Sequence, residues 1–119
     1  MTLPMKTAKK KTNKVKIRPG TYTSEVISVA DHKDYRPGDA CEITYQLSQG
    51  DQSWTYRETY INDPDDPRSA EFMDYLSRNG IEVTDWVQLL GLHEEVQLLK
   101  ESKGKRGVYL NIVERRVLV

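Results

Sequence analysis

Apolar and polar residues alternate most regularly in "ACEITYQL". Cys41, Ile43, Tyr45 and Leu47 share one parity there, and Glu42, Thr44 and Gln46 the other. Side chains of a strand point alternately to its two faces, so this segment predicts a half-buried strand. An earlier strand is expected from Thr21 to about Ala30, opened by the Pro19-Gly20 turn. Polar "DHKDYRPGD" links the two, with Pro37-Gly38 as its turn. "SQGDQS" reads as a hairpin turn into a third strand, Trp54 to Ile61. "NDPDDP" then breaks the sheet, because proline cannot donate to a ladder.

Helical spacing takes over after that break. Phe72, Met73, Tyr75 and Leu76 form an apolar stripe on a helix over 67–79, capped by Asp66, with Pro67 in its first turn and Asn79-Gly80 as its stop. "TDWVQLLG" predicts a second short helix. "EEVQLLKE" and "GVYLNIVER" predict two closing strands joined by the basic hairpin "SKGKRG", with "RVLV" as an extension. Three strands, a helix and two strands define a mainly β, α+β domain. That order is the layout of a five-stranded OB-fold-like barrel with the helix between strands 3 and 4. Met73 and Leu76 are then expected against the end of the barrel. An open sheet with a helix packed across it is the alternative.

The register of the second hairpin decides what the third strand does. Trp54, Tyr56 and Tyr60 share one face of it. A two-residue turn at Gly50-Asp51 sets Leu47 opposite Trp54 and Tyr45 opposite Tyr56, which places the aromatics in the core and Glu58 beside Ile43. A three-residue turn flips the set, so that Trp54, Tyr56 and Tyr60 face outward and Glu58 stays in water. Turn chemistry favours the first register. The cost of burying a carboxylate favours the second, which is the expectation adopted.

Charge divides the chain. The formal net charge is zero, yet residues 1–18 hold seven of the 18 basic residues and no acidic one. The other eleven basic residues accompany all 18 acidic ones, a balance of −7 over residues 19–119. Residues 1–18 have almost no apolar periodicity and are expected to be a disordered basic arm on an acidic body spanning 19–119. No apolar run approaches the ~20 residues of a membrane span. Cys41 is the only cysteine, so no disulfide forms within the chain, and a reducing, cytoplasmic setting is expected.

Enzyme signatures are missing from the sequence. His32 and His93 lie in separate segments, no phosphate-binding glycine loop or serine elbow occurs, and Asp63, Asp65 and Asp66 lack the glycine and distant Glu of a calcium loop. No metal, cofactor or catalytic residue is expected. The chain reads instead as a binder of single-stranded DNA or RNA. Trp54, Tyr56 and Tyr60 would stack bases beside Arg57. The loop after strand 1 supplies Lys33, Tyr35 and Arg36, and the last hairpin Lys100, Lys103, Lys105 and Arg106. The arm adds Lys9, Lys10 and Lys11. The acids of residues 58–95 support the other reading, a module that recruits a basic partner.

From "RPGTYTSEVISV" onward the pattern resembles small OB-fold single-stranded-DNA-binding-like proteins of phages and integrated mobile elements of Gram-positive bacteria. The resemblance rests on "PGTY", "EITYQL" before "QGD", "FMDYLSRNGI", "WVQLLGLHEEVQLL" and "KGKRGVYLNIVERR". It implies an accessory role in DNA replication or recombination, with proteins of those processes as partners. The chain departs from the pattern in carrying its basic run at the N-terminus and no acidic C-terminal tail. The alternative function is an inhibitor or interaction module whose acidic surface engages a host nucleic-acid-binding protein.

Overall fold

The computed structural model describes residues 16–102 and 107–118. Five strands form one antiparallel sheet: β1 (Gly20–Asp31), β2 (Ala40–Gln49), β3 (Gln52–Ile61), β4 (His93–Ser102) and β5 (Val108–Val117). One helix, α1 (Pro67–Arg78), lies between β3 and β4. Among the described residues the fold is thus mainly β with a single α-helix, an α+β arrangement. The segment expected as a second helix is only a 3-10 turn, Trp86–Leu89. Asp85 and Gln88 form a capping box around that turn, which satisfies its backbone without a longer helix. None of the described helices is long and apolar enough to cross a membrane.

The strands lie in the order β3-β2-β1-β4-β5, and no ladder joins β3 to β5 among the described residues. Bulges at Val26/Ser28 in β1 and beside Gln97/Leu98 in the β4–β5 pair bend the sheet. The two edges approach each other through side chains. On β3 the Tyr56 hydroxyl donates to the Leu110 carbonyl of β5 at 3.0 Å, and Arg115 of β5 reaches Glu58 of β3 at 3.0 Å.

α1 begins where its caps demand. Asp66 accepts from the Ser69 amide at 2.9 Å, Pro67 occupies the first turn, and Gly80, with φ 78°, turns the chain after Asn79. Ser69, Phe72 and Leu76 repeat at helical spacing and form its buried face, with Met73 half-buried beside them. They meet an inner sheet face of Tyr22, Val26, Ile43, Tyr45, Leu47, Val96 and Leu98. Ordered packing begins before the expected boundary at residue 18. Ile17 packs on this core, and the Arg18 carbonyl accepts from the Tyr22 hydroxyl at 2.6 Å.

The β2–β3 hairpin takes the register opposite to the one adopted from sequence. Leu47 pairs with Trp54, Tyr45 with Tyr56, Ile43 with Glu58 and Cys41 with Tyr60. Gly50 has φ 59° in the two-residue turn, a left-handed state that favours glycine. Trp54, Tyr56 and Tyr60 therefore face the core rather than forming an outward platform. Tyr60 is buried and stacks on Phe72 at 4.8 Å, and Trp54 meets Tyr22 edge-on at 5.4 Å. The carboxylate cost that favoured the other register is met inside the protein, by partners distant in sequence.

Candidate functional site

Turning the aromatics inward leaves a polar outer face on β2 and β3. Its residues are those of opposite parity, Glu42, Thr44 and Gln46 on β2 and Thr55, Arg57 and Thr59 on β3. Arg57 is the cation of this face. It lies 3.9 Å from Glu42, and both side chains are substantially exposed, so the pair is weak and leaves the guanidinium accessible. β3 is about 30 Å long at ~3.3 Å per residue, enough for several nucleotides in an extended strand.

The β1–β2 loop stands at one end of this face. Asn62, just past β3, donates its side-chain amide to the Gly38 carbonyl at 2.9 Å and its backbone amide to the Asp39 carbonyl at 2.8 Å. These bonds tie the loop to the end of β3. Lys33, Tyr35 and Arg36 are all exposed on it. The Tyr35 ring sits edge-on to His32 at 5.2 Å, and the Tyr35 amide donates to the His32 carbonyl at 3.1 Å. Tyr35 is among the exposed large apolar side chains.

The β4–β5 hairpin stands at the other end, near the Tyr56–Leu110 contact. Lys100 is exposed on β4, and Tyr109, exposed on β5, pairs with Glu101. Sequence reading missed Tyr109, because nothing local marks which parity of β5 faces outward. Lys103, Lys105 and Arg106 lie outside the described residues, as do Lys9, Lys10 and Lys11.

Beneath the outer face is a feature absent from the sequence expectations. Glu58 is almost wholly buried, and its Oε1 accepts from the Tyr45 hydroxyl at 2.7 Å, the Tyr60 hydroxyl at 2.9 Å and Arg115 at 3.0 Å. Its Oε2 accepts from Arg68 of α1 at 3.0 Å. Arg115 also lies 3.7 Å from Glu94 and 4.6 Å over the Phe72 ring. One guanidinium thus joins β5 to β3, β4 and α1.

The electrostatics of this cluster follow from burial. Desolvation, followed by the Glu58 charge, raises the Tyr45 and Tyr60 hydroxyls well above their ordinary value and pushes Tyr56 up to about 12. They remain protonated donors across the physiological range. Burial also raises Glu94 above its ordinary 4.5, opposed by Arg115 and by the Tyr75 hydroxyl that donates to it at 2.8 Å. Glu94 Oε1 makes no hydrogen bond among the described residues. Burial works against the charge on Arg115, but the Glu58 and Glu94 carboxylates beside it favour the protonated guanidinium. Cys41, raised to about 11 mainly by burial and then by Asp31, holds a protonated thiol at neutral pH.

The site therefore has two layers. The outer one carries accessible cations and tyrosines at the ends of a hydroxyl-rich sheet face, and the inner one is a buried ionic lock that fixes the curvature of that face. In comparisons with family models, curated proteins and solved structures, the chain matches none.

Proposed function

We propose that the chain is a single-stranded nucleic-acid-binding module of the OB type, accessory to DNA replication or recombination of a phage or mobile element. The carrying observation is the strand order β3-β2-β1-β4-β5 with α1 between β3 and β4, its two edges drawn together by Tyr56–Leu110 and Glu58–Arg115. An OB barrel has this order and binds oligonucleotides across strands 2 and 3, between the loops joining strands 1–2 and 4–5. In this chain that face holds Arg57, with Lys33, Tyr35 and Arg36 at one end and Lys100 and Tyr109 at the other. Stacking falls to Tyr35 and Tyr109 rather than to Trp54, Tyr56 and Tyr60.

Titration of the full chain into fluorescent oligo-dT at two salt concentrations tests the proposal. Single strands should bind more tightly than duplex, and log affinity should fall with log salt by roughly 0.7 for each phosphate contact. Absence of binding at the lower salt rejects the proposal.

A second reading has its own observation. All 18 acidic residues lie within the described residues, whereas eight of the 18 basic ones lie outside them. That acidic body fits an interaction or inhibitor module engaging a basic, nucleic-acid-binding host protein. Tight binding to such a protein by a chain inert toward oligo-dT would favour it.

A further inference from the structure

A cleft of about 800 Å³ opens at the far end of β1 and β2, away from the β4–β5 hairpin. Its walls come from the ends of β1, β2 and β3, from α1 and from the segment leading into the 3-10 turn. Val29, Ile61, Met73, Val83 and Trp86 give it an apolar part. Asp31, Asp63 and Asp85 also line it, and among the described residues no lysine, arginine or histidine does. A volume in this range, with apolar side chains beside convergent polar groups, suits a binding cleft.

Each of the three carboxylates accepts from nearby backbone amides, Asp85 from that of Gln88 as well. Asp31 accepts from the Gly38 amide at 3.2 Å, Asp63 from the Asp65 amide at 2.9 Å and Asp85 from the Val87 amide at 3.1 Å. None has a salt bridge among the described residues. The fields of Asp31 and Asp85 converge on the cleft, since both act on the Cys41 thiol in its wall. A cleft that pairs apolar side chains with carboxylates lacking a salt bridge complements a ligand that is apolar at its tip and cationic around it.

We propose that this cleft docks a segment of a partner protein presenting an apolar side chain flanked by lysines or arginines. The cleft adjoins the β1–β2 loop at one end of the outer face of β2 and β3, since Asp31 and Gly38 line it. It would give the module a way to recruit a protein to the nucleic acid it holds. The proposal stands whether or not the outer face binds single strands.

Amide correlation spectra of the isotope-labelled full chain provide the test, with three synthetic peptides as probes. They are the acetylated amides Lys-Lys-Leu-Phe-Lys, Glu-Glu-Leu-Phe-Glu and Lys-Lys-Ser-Ser-Lys. The first should give saturable shifts at Val29, Met73 and Trp86, and the other two should bind roughly tenfold more weakly or less, as expected for losing several charge pairs or the apolar tip. Replacing Asp31, Asp63 and Asp85 together by Asn keeps the three local acceptors and removes the charge. That variant should lose the same affinity with an unchanged denaturation midpoint, and if it fails to fold, the three single Asn variants are read in its place. No saturation by about 5 mM of the first peptide, weaker than a minimal millimolar contact, overturns the proposal. Equal binding of the glutamate peptide overturns it too, as do contacts between residues 1–15 and Trp86 in the peptide-free chain, which would show the cleft already filled by the protein's own N-terminus.

Discussion

Arg57 and Glu58 are neighbours in sequence, and both meet an opposite charge, yet they sit in different physical worlds. Arg57 faces outward, 3.9 Å from Glu42 in water. Glu58 faces inward, with Arg68 and Arg115 each at 3.0 Å and two tyrosine hydroxyls completing its shell. The outer pair is screened by solvent and contributes little to stability, which leaves Arg57 free to meet a ligand. Glu58 and Arg115 are buried and little screened, and removing either strands the other away from water. One strand thus separates a solvated charge from a buried one by the parity of two adjacent residues.

The largest effect expected from breaking this contrast is at Glu58. Glu58→Ala should destabilise the protein by about 3–5 kcal/mol, since it leaves the buried Arg115 with only Glu94 opposite it and strips two buried tyrosine hydroxyls of their acceptor. A urea denaturation midpoint close to wild type would show that water reaches the cluster. Tyr56→Phe removes only the hydroxyl that bridges β3 to the Leu110 carbonyl and should cost about 0.5–1.5 kcal/mol. A larger loss would mean that this single bond, rather than the Arg115 cluster, keeps the edges together.

Glu94, on the other side of Arg115, gives a smaller effect that shows as a pH trend. Its folded pKa is raised above 4.5, so the folded state holds this proton more tightly than the unfolded one. That contribution is fully present below the unfolded value and is lost as pH rises through the folded value. The stability of Glu94→Gln relative to wild type should therefore increase as pH rises from 4 toward neutrality, in denaturation midpoints measured across that range. A difference that shrinks instead would show that Arg115 and Tyr75 stabilise the ionised form more than burial opposes it. The smallest effect is at the outer pair, where Arg57→Ala should change stability by less than about 1 kcal/mol. A larger loss would show that Arg57 belongs to the scaffold.

Much of the scaffold was legible because its signals are local. The alternation of Cys41, Ile43, Tyr45 and Leu47 gave β2 its inward face, and Asp66, Pro67 and Gly80 bounded α1. The register of β3 misled for a reason equally physical. A carboxylate opposite Ile43 looks prohibitive when only its hairpin is considered, and its remedy, Arg115, lies 57 residues further on. Turn chemistry at Gly50 pointed the right way but was outweighed by a penalty that long-range pairing removes. The same error carried over to the candidate site. Trp54, Tyr56 and Tyr60 moved from platform to core, while Arg57, of opposite parity, lies on the surface.

The most direct measurement is the affinity of the Arg57→Glu variant for fluorescent oligo-dT, read beside its denaturation midpoint. Reversing the charge at the centre of the outer face should weaken binding roughly tenfold or more at low salt, by removing one phosphate contact and repelling the strand, and should leave the midpoint nearly where it was. Wild-type affinity in this variant would contradict the assignment of the β2–β3 outer face as the binding surface.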